Sequence, residues 1–136
     1  MRYLLDVSAL VPLGFIDHEF HQRVAGWVLA LAAKGMPEFA TCSITELGFV
    51  RVLVQTSHYG LTIGEARELL LKLKATNGQK FTLIADTHDI SHLPEWVKTP
   101  KQITDGHLLQ LARANGAVLA TLDRRIPGAF LIPTQK

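Results

Sequence analysis

The sequence predicts an α/β fold with a largely parallel sheet of about five strands, and three observations carry that prediction. Short apolar runs alternate with longer stretches of helical periodicity, the pattern of strands joined by helical crossovers. The helical stretches stop at glycines: Gly35, Gly60, Asn77-Gly78 and Asn115-Gly116. A chain of 136 residues, 48% hydrophobic, can bury one sizeable core but not two, which points to one domain over 1–136.

The elements follow in order. Residues 2–5, "RYLL", read as a buried strand that ends directly on Asp6. "HEFHQRVAGWVLALAAKG" then repeats Phe20, Val24, Trp27, Val28 and Leu31 at helical spacing, giving a helix with a wide apolar face. A second strand, 39–42, leads into the helix of "SITELGFVRVLVQTSHYG", and "TIGEARELLLKLKATNG" forms a third helix. A strand over 81–85 follows. "ITDGHLLQLARANG" is the fourth helix and runs straight into a strand over 117–122, with a last strand over 130–132. No repeat, low-complexity segment or Gly/Pro/Ser-rich linker divides the chain.

Composition excludes several classes. The longest apolar stretch, around "WVLALAA", is far shorter than a bilayer span, and the N-terminus lacks the features of a signal peptide. A soluble, cytoplasmic protein without a membrane partner is expected. The single cysteine, Cys42, allows no intramolecular disulfide and reads as a small buried hydrophobe. A net charge of +2 without blocks of either sign hints only weakly at an anionic partner. Neither G-x-G-x-x-G nor G-x-x-x-x-G-K-[ST] occurs, so dinucleotide and P-loop chemistry have no support.

Asp6 poses the functional question, because a buried carboxylate is costly unless something pairs with it. In open α/β sheets, ligands gather outside the carboxyl ends of the strands. Four acids fall there: Asp6 after the first strand, Glu46 in the opening turn of the helix after the second, Asp105 opening the fourth helix, and Asp123 after "AVLAT". Gathered on one edge they repel one another unless a cation or bound protons relieve the charge. An all-oxygen set suits a hard divalent cation, and the expectation is a metal opposite Asp6. With a phosphodiester bound, such a metal polarises the phosphoryl oxygen and activates water.

Each acid has a plainer reading beside this one. Ser43 and Glu46 match a capping box, as do Thr62 and Glu65 where no chemistry is suspected. Asp105 suits a helix N-terminus, and Asp123 a turn before "RRIPG". These readings do not predict a shared edge. A phosphatase with a nucleophilic strand-end aspartate would want a second acid two residues on, where Ser8 stands.

Other residues have plain readings as well. His18 with His21, and His88 with His92, are the only pairs near zinc spacing, and neither has a convincing second pair. His107 reads as structural or surface, and Arg51 as a partly buried partner for a carboxylate. Arg124 and Arg125, next to Asp123, are placed to reach a phosphate backbone, with Lys98 and Lys101 flanking the same edge.

The blocks "LLDVSAL", "FATCSITELGFVRVL" and "ITDGHLLQLARANGAVLATLD", in this order over essentially the whole chain, resemble the PIN domain, and more narrowly the VapC ribonuclease toxins of bacterial toxin-antitoxin pairs. The resemblance implies a three-layer α/β/α sandwich that uses Mg²⁺ or Mn²⁺ to hydrolyse phosphodiester bonds in RNA. Its four acidic positions fall on Asp6, Glu46, Asp105 and Asp123. Ser8 and Thr121 fall on small polar positions that hold a metal-bound water or a carboxylate in place. With no acid missing, an active endoribonuclease is favoured over a non-catalytic module that keeps the fold for protein or RNA contact. The resemblance also implies a cognate VapB-like antitoxin and a homodimer, for which Trp27, Val28 and Leu31 offer a candidate contact surface.

Overall fold

The computed structural model describes residues 1–134. Its five strands are β1 (Arg2–Leu5), β2 (Glu38–Thr41), β3 (Lys80–Leu83), β4 (Ala117–Thr121) and β5 (Phe130–Leu131), each within two residues of its expected bounds. They form one sheet in the order β3-β2-β1-β4-β5, with every pair parallel. The helices are α1 (Val7–Gly14), α2 (His21–Ala32), α3 (Ser43–Gln55), α4 (Ile63–Lys74) and α5 (Ile103–Ala114). Among the described residues, no helix is long and apolar enough to cross a membrane.

The period of two along a strand sorts side chains onto the two faces of the sheet and makes three layers. Tyr3, Leu5, Phe39 and Ala120 join residues of α1, α2, α3 and α4 in one core, which includes Leu10, Trp27, Phe49 and Leu70. Leu4, Ala40 and Leu119 point the other way, into a second core closed by Leu108, Leu109 and Leu111 of α5. The central pair, β1 and β4, is buried on both faces. The sequence order leaves β1 toward β2 and β3 on one side and returns to β4 and β5 on the other, so the switch point lies beside the carboxyl end of β1.

Two departures from expectation matter for the site. The first is α1, which the sequence pattern did not announce: it is short, contains Pro12, and ends in glycine. It forms because Asp6, extended at φ −63° and ψ 157°, caps it by accepting the N–H of Val7, and because Ala9, Leu10, Val11 and Leu13 are all buried. The second is the start of α2. The helix begins at His21, so His18 and Phe20 lie in the connection before it, and Phe20 is 43% exposed. Trp27 and Val28 are buried in the core, Trp27 against the edge of the Tyr3 ring at 4.9 Å between centroids, so they are not the contact surface expected of them. Leu29 is the large apolar residue that helix leaves exposed, at 70%.

The start of α1 is fixed by a close approach. A methyl group on Gly48 of α3 would stand 2.6 Å from Cγ2 of Val7, the residue whose N–H holds the Asp6 carboxylate. Gly48→Ala gains about 1 kcal/mol of helix propensity, whereas overpacking a stiff β-branched neighbour costs about 1–3 kcal/mol. A net loss of about 1 kcal/mol is expected in chemical denaturation, and adding Val7→Ala to Gly48→Ala is expected to restore part of it.

Candidate functional site

Asp6 stands at the end of β1, 7% exposed, and its backbone N–H extends the ladder to the carbonyl of Ala120 at 3.0 Å. Its Oδ1 accepts the N–H of Val7 at 2.8 Å, and its Oδ2 accepts the hydroxyls of Ser8 at 3.0 Å and Thr121 at 2.8 Å. Each hydroxyl is fixed in turn: Ser8 Oγ accepts the N–H of Leu122 at 3.1 Å, and Thr121 Oγ1 that of Asp123 at 3.0 Å. Thus the immediate partners of Asp6 are a helix N-terminus and two hydroxyls, those of the Ser8 and Thr121 expected to hold a carboxylate or a metal-bound water in place. Arg2 is engaged elsewhere, donating to the carbonyl of Asn115.

Glu46 lies in the first turn of α3, just beyond β2, the next strand outward. The Ser43–Glu46 capping box does not form, because α3 starts one residue earlier than that reading requires: Cys42, buried and free, is the N-cap, and Thr45 Oγ1 accepts its N–H at 3.0 Å. The box at Thr62 and Glu65 does form. Released from capping, Glu46 Oε2 accepts the Thr41 hydroxyl at 2.6 Å and Lys74 Nζ at 2.5 Å. Lys74 was not singled out in the sequence. Its approach depends on how α4 packs on α3, which spacing along the chain does not encode.

Asp105 sits in the first turn of α5 and Asp123 two residues past β4. Burial, and then the charges of Asp6 and Asp123, push the Asp105 carboxyl up to about 6. Those three carboxylates therefore share one electrostatic field at the switch point of the sheet. Asp123 is held in two ways. The Arg125 guanidinium donates Nε to Oδ1 at 3.0 Å and NH2 to Oδ2 at 3.1 Å, and the Arg125 N–H reaches Oδ1 at 2.9 Å. These bonds keep its carboxyl below the usual range, so the turn reading of Asp123 is real and coexists with its place in the cluster.

Among the described residues, no three His, Cys, Asp or Glu side chains are disposed to hold a metal ion as they stand. Charge pairing explains the spread: Glu46 turns to Lys74, Asp123 to Arg125, and Asp6 to its hydroxyls. Asp105 is left with two like charges and burial against it. The donor set is all oxygen and carries excess negative charge, which fits a hard divalent cation.

The remaining sequence candidates divide. Lys101 lines a small cavity of about 140 Å³ with Trp96, Asp105, Asp123 and Arg125. Lys98 is not part of that lining; its backbone N–H goes to Gln102 Oε1 at 2.7 Å. Arg124 is exposed in a larger cavity on the other side of Asp123. Arg51 is exposed rather than partly buried. The histidine pairs serve other ends. His21 Nδ1 meets the Pro12 carbonyl at 2.7 Å, His18 Nδ1 accepts the Phe20 N–H at 3.0 Å, and the His88 and His92 rings stack at 4.1 Å. His107 Nε2 lies 2.7 Å from Oδ2 of Asp86, tying α5 to the segment after β3. Asp86 also follows a strand end and was missed, since nothing local marks its partner.

A model of the PIN domain matches residues 3–129. Ribonuclease VapC38 of Mycobacterium tuberculosis is 40% identical over 138 residues, 98% of this chain and 91% of that protein. Ribonuclease VapC44 of the same organism is 34% identical, over 95% and 94%. Among solved structures, M. tuberculosis VapC20, a sarcin-ricin loop cleaving toxin, matches with a TM-score of 0.60 at 15% identity, over 98% and 99% of the two chains. PAE2754 from Pyrobaculum aerophilum matches with a TM-score of 0.59 at 20% identity, over 97% and 84%. At those identities the structural likeness is one of fold.

The raised Asp105 carboxyl has a pH consequence. The folded chain holds that proton more tightly than the unfolded chain does, so metal-free stability falls as pH rises from about 4 to about 6 and the full penalty applies above. Because the group is partly exposed, screening keeps the penalty to about 1 kcal/mol. Asp105→Asn is expected to be more stable than wild type by that amount at pH 7 without metal, and equally stable near pH 4, as read from urea midpoints at each pH.

Proposed function

Because the chain belongs to the PIN domain family and, within it, to the VapC ribonucleases, we propose that it is a metal-dependent endoribonuclease and the toxin of a type II toxin-antitoxin pair. The observation that supports this most is the Asp6, Asp105 and Asp123 group at the carboxyl ends of β1 and β4, whose mutual repulsion is written in the Asp105 carboxyl. RNA is the substrate, entering single-stranded or looped, because a duplex hides its bases. The protein acts in the cytoplasm, as one domain over 1–136 and as a homodimer, and a cognate VapB-like antitoxin restrains it.

Asp6, Asp105 and Asp123 would hold Mg²⁺ or Mn²⁺, with Glu46 completing the set. The bound cation would supply Lewis-acid polarisation of the scissile phosphoryl group and a more acidic water. The chain's own residues do the rest. Ser8 and Thr121 hold the Asp6 carboxylate in one orientation, because both of their oxygens are fixed by backbone N–H groups. The Asp105 carboxyl, raised to about 6 in the metal-free chain, would be drawn into its charged form by the cation. Arg124 and Lys101 flank Asp123 from two cavities and would bind backbone phosphates, with Arg125 joining them when Asp123 turns to the cation and Lys98 further along the same edge.

The reading is tested by incubating total RNA with the purified chain in Mg²⁺ or Mn²⁺ and mapping new 5′ ends. Discrete cuts are expected, abolished by EDTA and reduced at least about a hundredfold by Asp6→Asn, which should still unfold cooperatively. Undiminished cutting by Asp6→Asn would remove Asp6 from the site. No cutting by folded, antitoxin-free protein would favour the non-catalytic module.

A further inference from the structure

The connection between α1 and α2 carries side chains that neither the core nor the carboxylate site uses. Phe20 has helical spacing with the buried Val24, yet α2 starts after it and leaves the residue 43% exposed. Its backbone is not loose. His18 Nδ1 accepts the Phe20 N–H at 3.0 Å, and the two rings lie 5.8 Å apart between centroids at 39°. Accepting at Nδ1 requires that nitrogen to be unprotonated, and burial, the largest influence on His18, likewise favours the neutral ring.

Both aromatic side chains line an open cavity of about 630 Å³ whose other walls include Ser8, Leu122, Asp123 and Arg124. Ser8 is the residue that holds Asp6, so the cavity adjoins the carboxylate group directly. Its size lies within the range of small-molecule sites. One wall is flat and apolar, another carries the Arg124 guanidinium, and a third is the proposed reaction centre. A flat aromatic face beside a cationic side chain is how single-stranded nucleic acids are gripped, since every base has a π-face to stack. Glu19 also lines the cavity, and its carboxylate repels phosphate, which directs the phosphate toward Arg124.

We propose that this cavity is the subsite for the nucleotide next to the scissile phosphate, with its base lying on the Phe20 ring and its phosphate at Arg124. The proposal rests on the ribonuclease reading above and deepens it. Selection for unpaired RNA is made here, by a ring that only an unstacked base can cover. His18 is a positioning residue that fixes the backbone from which Phe20 projects.

Two measurements test it. Binding of a labelled single-stranded RNA of mixed sequence, about ten nucleotides long, is followed by anisotropy with the whole chain in EDTA, where no cleavage intervenes. Phe20→Leu, which keeps the apolar bulk and removes the π-face, is expected to weaken binding about tenfold. Phe20→Tyr is expected to retain wild-type affinity. An abasic strand of the same length is expected to bind Phe20→Leu and wild type alike. Equal binding of the mixed-sequence RNA by wild type and Phe20→Leu overturns the subsite, as does an equal loss on the abasic strand. A loss of affinity for a co-purified protein in place of RNA, with RNA binding unchanged, also overturns it and makes the ring a protein contact. The second measurement is cleavage of total RNA by the wild type. Cleavage that persists with unaltered KM in Phe20→Leu removes the subsite and leaves the ribonuclease reading standing, whereas absence of cleavage removes both.

Discussion

The structure depends on how one buried carboxylate is satisfied. Asp6 ends the central strand largely out of reach of solvent, and an unpaired charge there would cost several kcal/mol, on the order of a large share of a domain's stability. Three short-range donors prevent that: the first N–H of α1 and the hydroxyls of Ser8 and Thr121. Satisfying Asp6 simultaneously caps α1, links it to the end of β4 and fixes the N–H groups of Leu122 and Asp123. A single charge thereby specifies the strand-to-helix turn and the course of the chain past β4. The tight contact of Gly48 with Val7 clamps the same turn from the opposite layer.

Around that fixed point the other acids are compensated unequally. Lys74 neutralises Glu46 and Arg125 neutralises Asp123, both through side chains that are partly or largely exposed and free to rearrange. Asp105 forms no ion pair among the described residues, and the nearby Arg125 charge offsets only part of its burial and the two like charges. Such an arrangement works against stability in the metal-free chain, and functional sites are where a fold retains a cost of that kind. The neighbouring cavities then divide the surroundings into an aromatic side, with His18 and Phe20, and a side with Trp96 and Lys101, meeting at Asp123 and Arg125.

Much of this was legible in the sequence. Five strand runs and the helices between them followed from periodicity and glycine stops, and the four acids were recognisable because each falls at a strand's carboxyl end or in the helix turn beyond it. α1 was not legible: it is only eight residues long with Pro12 inside and Gly14 at its end, and it is held by tertiary burial and by the Asp6 cap rather than by propensity. The start of α2 was misread because Phe20 fits the apolar spacing, while only the packed structure reveals that its backbone has left the helix. The capping-box reading of Glu46 failed for a one-residue reason, since Cys42 took the N-cap and Thr45 the reciprocal role. Lys74 and Asp86 were invisible because each finds its partner between elements brought together only in the fold.

The divalent cation proposed for this site is drawn by the charge left on Asp105 beside Asp6 and Asp123. The most direct measurement is the melting temperature of the purified chain at neutral pH as Mn²⁺ is titrated, for wild type beside Asp105→Asn. The account predicts that wild type starts lower and rises with metal, because a ligand bound only by the folded state stabilises it, while Asp105→Asn starts higher and responds weakly. A wild type indifferent to Mn²⁺, or an Asp105→Asn variant that rises as steeply as wild type, would contradict it.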